Sequence, residues 1–252
     1  MLPMGTPATA RSRRERPAKP ALTLPGIVAT AIAIVEEEDF GRLTMRRLAA
    51  ALDTGPASLY VYVRNTAELH AYVLEEMLGT LDLSWDPAET PWRQRLGDLL
   101  TSYTELLLQH RGLAGSTVVL RPSGANYLDL VEAILRLLTT GGVPGDRAAW
   151  GVDLLLQTAT AVAAEHGERD AGSADDAGEA SSADEASGAD DDGAAAQAAA
   201  VHHTSASRHP LVTSLATDLL GGTAPERVRW AFDVLVTGML VTPTPTANRT
   251  AP

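Results

Sequence analysis

The chain has 252 residues, 45% of them hydrophobic and 21% charged, with a formal net charge of −12 and no cysteine. That length and apolar content support one or two domains with real cores. The lack of cysteine excludes disulfides, thiolate metal sites and cysteine nucleophiles, and fits a reducing compartment. Aromatic content is only 4%, and abundant Ala and Leu favour helices over strands. The charge is unevenly placed. Residues 168–193 carry ten acids against Arg169 alone, about −9, which leaves about −3 for everything else.

Residues 1–22 are rich in Pro and Arg, lack periodicity and read as a flexible basic arm. The basic "RSRRERPAKP" and apolar "ALTLPGIVATAIAIV" superficially resemble a secretion signal. Glu15 follows the arginine pair, however, and the apolar run has helical period and passes without a cleavage-type segment into "EEEDFGRLT". No run reaches the roughly 18–20 apolar residues of a membrane span, so the expected setting is cytoplasmic, with no membrane partner.

A helix is expected from about Pro25, which suits a first helical position. Ile27, Ala31, Ile34 and Val35 mark its buried face, and Gly41 its stop. "TMRRLAAAL" follows, with Thr44 as N-cap and Leu48, Ala49 and Leu52 directed inward. "DTGP" is a tight turn in which Asp53 and Gly55 tolerate the left-handed region and Pro56 opens a helix of about two turns, "PASLYVYV". A long helix then begins near Thr66. Two short helices joined by a tight turn make a helix-turn-helix.

In that motif the second helix enters the major groove. Pro56, Ala57, Ser58, Tyr60 and Tyr62 lie on it, with Arg46 on the preceding helix. Arg46 can bond guanine bidentately, Pro56 and Ala57 can touch a thymine methyl, and Ser58 can read a base or bind phosphate. Tyr60 and Tyr62 can place hydroxyls on phosphates, which positions the helix without specifying sequence. The alternative is a helical core segment with half-buried tyrosines.

After the linker "LSWDPAETPW", helices are expected at about 92–110, 125–140 and 146–166, with apolar residues recurring at threes and fours. Residues 168–200 hold Ala, Gly, Ser and acids, too few large apolar residues to fold, and read as a disordered, protease-sensitive acidic loop. "HPLVTSLATDLL" and "PERVRWAFDVLVTGML" supply the last helices, and 243–252 is a tail. Val228, Ala231, Leu235 and Gly238 form a small-residue stripe suited to a four-helix dimer interface, or else to the protomer's own core. The histidines lack a partner at metal spacing, His202, His203 and His209 have no fixed frame, and no nucleophile–base set stands out.

"LTMRRLAAALDTGPASLYVYVRNTAEL" resembles the DNA-binding domain of the TetR (tetracycline-repressor) family, over about residues 24–80. "EEML", "LLLQHRG", "LRPSGANY", the acidic stretch before "HPL", and "FDVLVTGML" extend the likeness toward the tetracycline-repressor subgroup. The resemblance implies an all-α fold: a helix-turn-helix domain over 23–81, then an effector-binding and dimerisation domain over 82–242. It implies a dimeric, ligand-responsive repressor on a palindromic operator. The alternative is a constitutive architectural DNA binder, disfavoured by the length of helical chain after residue 90, and the lack of a catalytic constellation argues against an enzyme. Arg46 matches the family's base-reading arginine, and Pro56, Ala57, Ser58, Tyr60 and Tyr62 its recognition-helix positions. Thr66 stands where the family has a phosphate-binding Lys, which shifts that contact toward Arg64 or the arm. Asp53 replaces the usual turn glycine.

In the effector pocket, Asp82 stands where the subgroup has a His, and Leu99 and Tyr103 where it has Asn and Phe. Thr117 falls at its magnesium-binding His, and Ala133 at a polar Gln. With Ile134 and Trp150 these positions imply an apolar pocket for a hydrophobic small molecule, without metal or cofactor.

Overall fold

A computed structural model of the chain describes residues 21–38, 40–110, 113, 123–176 and 189–245. Residues 1–20 of the basic arm, Thr117, residues 177–188 of the acidic stretch and residues 246–252 of the tail lie outside the described residues. Among those described, the secondary structure is helical and strands are absent, as the all-α expectation requires.

The first helix, α1 (Leu24–Glu38), starts on a cap that pattern reading missed. The Thr23 hydroxyl accepts from Gly26 N at 3.2 Å, satisfying an amide with no intrahelical partner. A short 3-10 turn at Phe40–Arg42 follows, at the expected glycine stop, and then α2 (Met45–Ala51). Thr44 caps α2 as expected, accepting from Arg47 N at 3.1 Å.

The turn after α2 closes with Asp53 N donating to Ala50 O and Thr54 N to Ala49 O, at 3.1 and 2.9 Å. That pair of bonds is a Schellman closure, which needs a left-handed residue at its corner. Asp53 supplies it at φ 45°; a short polar side chain tolerates this region better than a branched one.

The next helix, α3, is shorter than its sequence pattern suggests: Pro56–Leu59, one turn rather than two. Its continuation is a turn in which Tyr62 N and Val63 N both bond Leu59 O. Leu59 and Val63 are buried while Tyr60, Val61 and Tyr62 stay exposed. A segment anchored at two points by core contacts needs no further helical turn. Then α4 (Thr66–Leu78) begins on Asn65, whose side chain accepts from Glu68 N at 2.8 Å.

Beyond the linker, α5 (Trp92–Gln109) and α6 (Ala125–Thr140) match the expected spans. By contrast α7 (Gly145–Asp176) runs well past 166, and α8 (Ala189–His202) occupies part of the stretch read from composition as disordered. The correction has a simple source: alanine has the highest helix propensity, and a helix can form without large apolar residues. Two short helices, α9 (Pro210–Ser214) and α10 (Ala216–Leu220), precede α11 (Ala224–Val241). The Thr223–Glu226 capping box opens α11, a signal present in the sequence.

The C-terminal core gathers α5, α6, α7 and α11 around Leu99, Leu100, Ile134, Leu138, Leu155 and Phe232. Its buried apolar cluster is continuous with that of α1–α4, and α4 packs against α6. On α11 the buried stripe is Phe232, Val236 and Met239, one face over from Val228, Ala231, Leu235 and Gly238, which are half-buried.

Candidate nucleic-acid interface

The surface of the α2–α3 corner is set by what its ion pairs leave over. Arg47 reaches back to Glu38 at the end of α1, its Nε donating at 2.9 Å. That bond holds the Glu38 carboxyl below its ordinary pKa. Arg64 is likewise taken: its Nη2 lies 3.0 Å from Glu68 Oε1, and its backbone N donates to Glu68 Oε2 at 2.5 Å. The hydrogen bond from Arg64 depresses the Glu68 pKa. Arg46 is exposed and has no hydrogen-bonding or ionic partner among the described residues.

On α3 and its continuation Pro56, Ala57 and Tyr60 are exposed, and Ser58 is half-buried. Tyr62 departs from the expected role. Its hydroxyl donates to Leu22 O at 2.7 Å, fastening the chain that leads into α1, which ties up its proton. Thr66 is half-buried in the first turn of α4. Sequence spacing therefore locates the exposed patch, whereas the pairing of Arg64 and Tyr62 depends on neighbours that spacing does not show.

The expected effector residues separate into two groups. Leu99, Tyr103 and Ile134 are buried in one cluster. Tyr103 Oη lies 3.0 Å from Thr160 Oγ1, a buried polar pair that sequence reading did not single out. Burial pushes the Tyr103 phenol above its usual pKa. Asp82 does not join them: it is exposed, and its carboxylate accepts from Ser84 N at 2.9 Å and Ser84 Oγ at 2.6 Å. That local Asx turn turns the side chain away from the core.

Trp150 also leaves the group. At 57% exposure it lies on the outer side of α7, lining a groove of ≈ 560 Å³ against α11 with Leu154, Val234 and Gly238. Ala133 is half-buried, and Thr117 lies outside the described residues. Among the described residues, no cluster of His, Asp or Glu could hold a metal ion, and no helix is long and apolar enough to cross a membrane.

A helix-turn-helix corner with an outward arginine, backed by a larger set of packed helices, defines the class of DNA-binding regulators with a regulatory module. The family model described as the tetracyclin repressor-like C-terminal domain matches residues 86–224. The chain belongs to the tetracycline-repressor (TetR) family of transcriptional regulators.

The crystal structure of a transcription regulator of Streptomyces coelicolor, SCO7704, superposes with a TM-score of 0.70 at 47% identity, covering 91% of this chain and 100% of that one. ActR of Streptomyces coelicolor, crystallised in complex with actinorhodin, superposes with a TM-score of 0.72 at 28% identity, covering 90% of this chain and 100% of that one. The transcriptional repressor DrrR1 of Streptomyces coeruleorubidus is 32% identical over 127 residues, 49% of this chain and 47% of that protein. The chain spans about half the length of the curated relatives it matches.

Proposed function

We propose that this chain is a dimeric repressor that binds a palindromic DNA operator through the α2–α3 corner and leaves it when a hydrophobic small molecule enters the C-terminal domain. The observation that carries the reading is Arg46: it is unpaired among the described residues, while Arg47 and Arg64 are both held by glutamates. A guanidinium kept out of local ion pairs is available for bidentate contact with guanine. Ala57 and Pro56 supply apolar contact for a thymine methyl, and Tyr60 a hydroxyl for phosphate.

The dimer is assigned to the outer faces of α7 and α11. Trp150, Leu154, Trp230 and Val234 are 57%, 45%, 69% and 47% exposed there. Large apolar side chains grouped on one face mark an interaction surface, and a two-fold pair of such faces makes a four-helix interface. Two recognition corners then meet half-sites one helical turn apart, about 34–36 Å.

The effector is assigned to the α5–α6–α7 core near Leu99, Tyr103 and Ile134. The side chains there are apolar, with the Tyr103–Thr160 hydroxyls as the polar contact, which favours a multi-ring or amphipathic compound held without metal. ActR binds actinorhodin, so a polycyclic compound of that kind is the first to try. A ligand acts only by binding the released state more tightly.

The test begins with duplexes selected by the full-length protein from a random pool, followed by titration with actinorhodin and other polycyclic compounds, with and without EDTA. Enrichment of a palindrome, dimer mass in solution and release that persists in EDTA are the expected results. A monomeric mass at micromolar concentration, or release that requires magnesium, contradicts the dimer or the metal-free pocket respectively.

A further inference from the structure

Tyr62 turns its hydroxyl back toward the start of the described chain. The Oη donates to Leu22 O at 2.7 Å, across 40 positions of sequence. Leu22 is held a second way, because its half-buried side chain packs against the core. Immediately after it, the Thr23 hydroxyl caps α1 by accepting from Gly26 N at 3.2 Å. Residues 22 and 23 are therefore fixed at three points, and the chain before them departs from a set place: beside Tyr62, whose neighbours Tyr60 and Val61 are exposed. One exposed hydrogen bond adds little stability. What it fixes is where the preceding segment starts.

That segment is the most basic in the chain. Arg11, Arg13, Arg14, Arg16 and Lys19 face only Glu15, five cations against one acid, in a protein whose net charge is −12. Such a segment is drawn to DNA phosphates, and its arginines are drawn further into a narrow minor groove, where the negative potential is enhanced. The distances suit it. The chain from Arg11 to Leu22 spans at most about 36–40 Å, and that from Arg16 at most about 20–22 Å. A minor groove lies half a helical turn from the major groove, roughly 17 Å along the duplex.

We propose that residues 11–19 occupy the minor groove flanking each half-site, and that Tyr62 is the mooring that aims them there. The proposal rests on the reading of the chain as a DNA-binding regulator. The preferred flank is A·T-rich, because such tracts are narrow and lack the guanine amino group that projects into the minor groove. The arm thus adds a base preference outside the pairs met by the α2–α3 corner. Tyr62 is a positioning residue: its hydroxyl is engaged by Leu22, and its effect on DNA passes through the arm.

The experiment uses the full-length protein and a duplex that it has selected from a random pool. Pairs flanking the half-sites are made all A·T, all G·C or all I·C, in which inosine keeps the major-groove face of guanine but lacks its amino group. A·T and I·C flanks are expected to bind tighter than G·C by about fivefold or more. Changing Arg13→Ala, Arg14→Ala and Arg16→Ala together should abolish that order. It should also flatten the log–log salt slope by about 0.9 for each phosphate no longer neutralised. Tyr62→Phe, which keeps the ring, should weaken the flank preference in the full chain and change nothing further when added to the triple variant.

A hydroxyl that served a phosphate, or only the stability of the corner, would cost the same in both backgrounds, and that result overturns the mooring. Weaker binding by the triple variant with no flank preference in the wild type puts the arm on phosphates alone and overturns the minor-groove assignment. Unchanged or tighter binding by the triple variant means that the arm is engaged elsewhere, as by the acidic residues 168–193, and overturns it equally. Each of these outcomes leaves the DNA reading intact. If no duplex is enriched, the DNA reading itself fails, and the arm's role with it.

Discussion

The two halves of the molecule differ in where they pair the polar groups nearest their candidate sites. In the N-terminal module they are paired at the surface: Arg47 with Glu38, Arg64 with Glu68, Tyr62 with the Leu22 carbonyl. In the C-terminal domain hydroxyls are paired inside: Tyr103 with Thr160, and Thr104 with the Leu100 carbonyl at 2.8 Å. The first arrangement stiffens a small corner whose helices are too short to be stable alone, and leaves Arg46 as an outward cation on α2. The second places hydrogen-bonding capacity within an apolar core, where water does not compete for it.

The comparison is tested most severely in the cores. Leu59 and Ile134 are both fully buried, so Leu59→Ala and Ile134→Ala are each expected to cost about 2–5 kcal/mol. Denaturant unfolding followed by exchange should show the first loosening the DNA-reading corner and the second the C-terminal helices. Equal loosening of both halves by either variant would mean that they unfold as one unit.

Arginine pairing comes next. Arg46→Ala should cost about 1–3 kcal/mol on the selected duplex and relax preference at one base pair. Arg64→Ala, which removes a side chain already engaged by Glu68, should cost less and affect random DNA equally. Reversed ranks in a competition gel-shift assay would sink the idea that local ion pairs decide which arginine reads bases.

For the buried hydroxyls, Tyr103→Phe leaves Thr160 without this partner and should destabilise by about 1–2 kcal/mol, within the usual penalty for an unsatisfied polar group. Adding Thr160→Val should recover much of that loss, since removing both partners can be nearly neutral. A double variant as unstable as the sum of the singles would show that the two hydroxyls do not depend on each other.

The smallest effect is a pH slope. The His70 ring packs on Phe40 with centroids 4.4 Å apart, and burial lowers its pKa below 6.5. As pH falls below about 6.5 the unfolded chain takes up this proton before the folded one. The stability from neutral His70 is therefore complete above that value and is lost as pH falls toward the folded pKa. His70→Gln should flatten the change in Tm between about pH 7 and pH 5; an unchanged slope assigns it to other groups.

Local chemistry accounts for what was legible without coordinates. The Thr44 cap, the left-handed Asp53 and the outward Arg46 follow from residues within a few positions of one another. Helical periodicity likewise marked the faces of α1 and α5, because a buried stripe recurs every three or four residues. The capping residues Thr23, Asn65 and Thr223 were available by the same logic.

What depended on the fold was every relation between distant segments. Asp82 stands at an effector position by correspondence, yet Ser84, two residues away, holds it at the surface. Trp150 lies on a helix that also contributes to the core, but on its outer face. The rotation of α11 put Phe232 and Val236 inward and left Val228 and Ala231 half-buried. Glu75 accepts a hydrogen bond from Asn126, 51 residues away, and neither is notable in sequence. Periodicity records how far along a helix a side chain lies, while its partner is decided by the angle at which another helix crosses, and that angle is set by packing of the whole core.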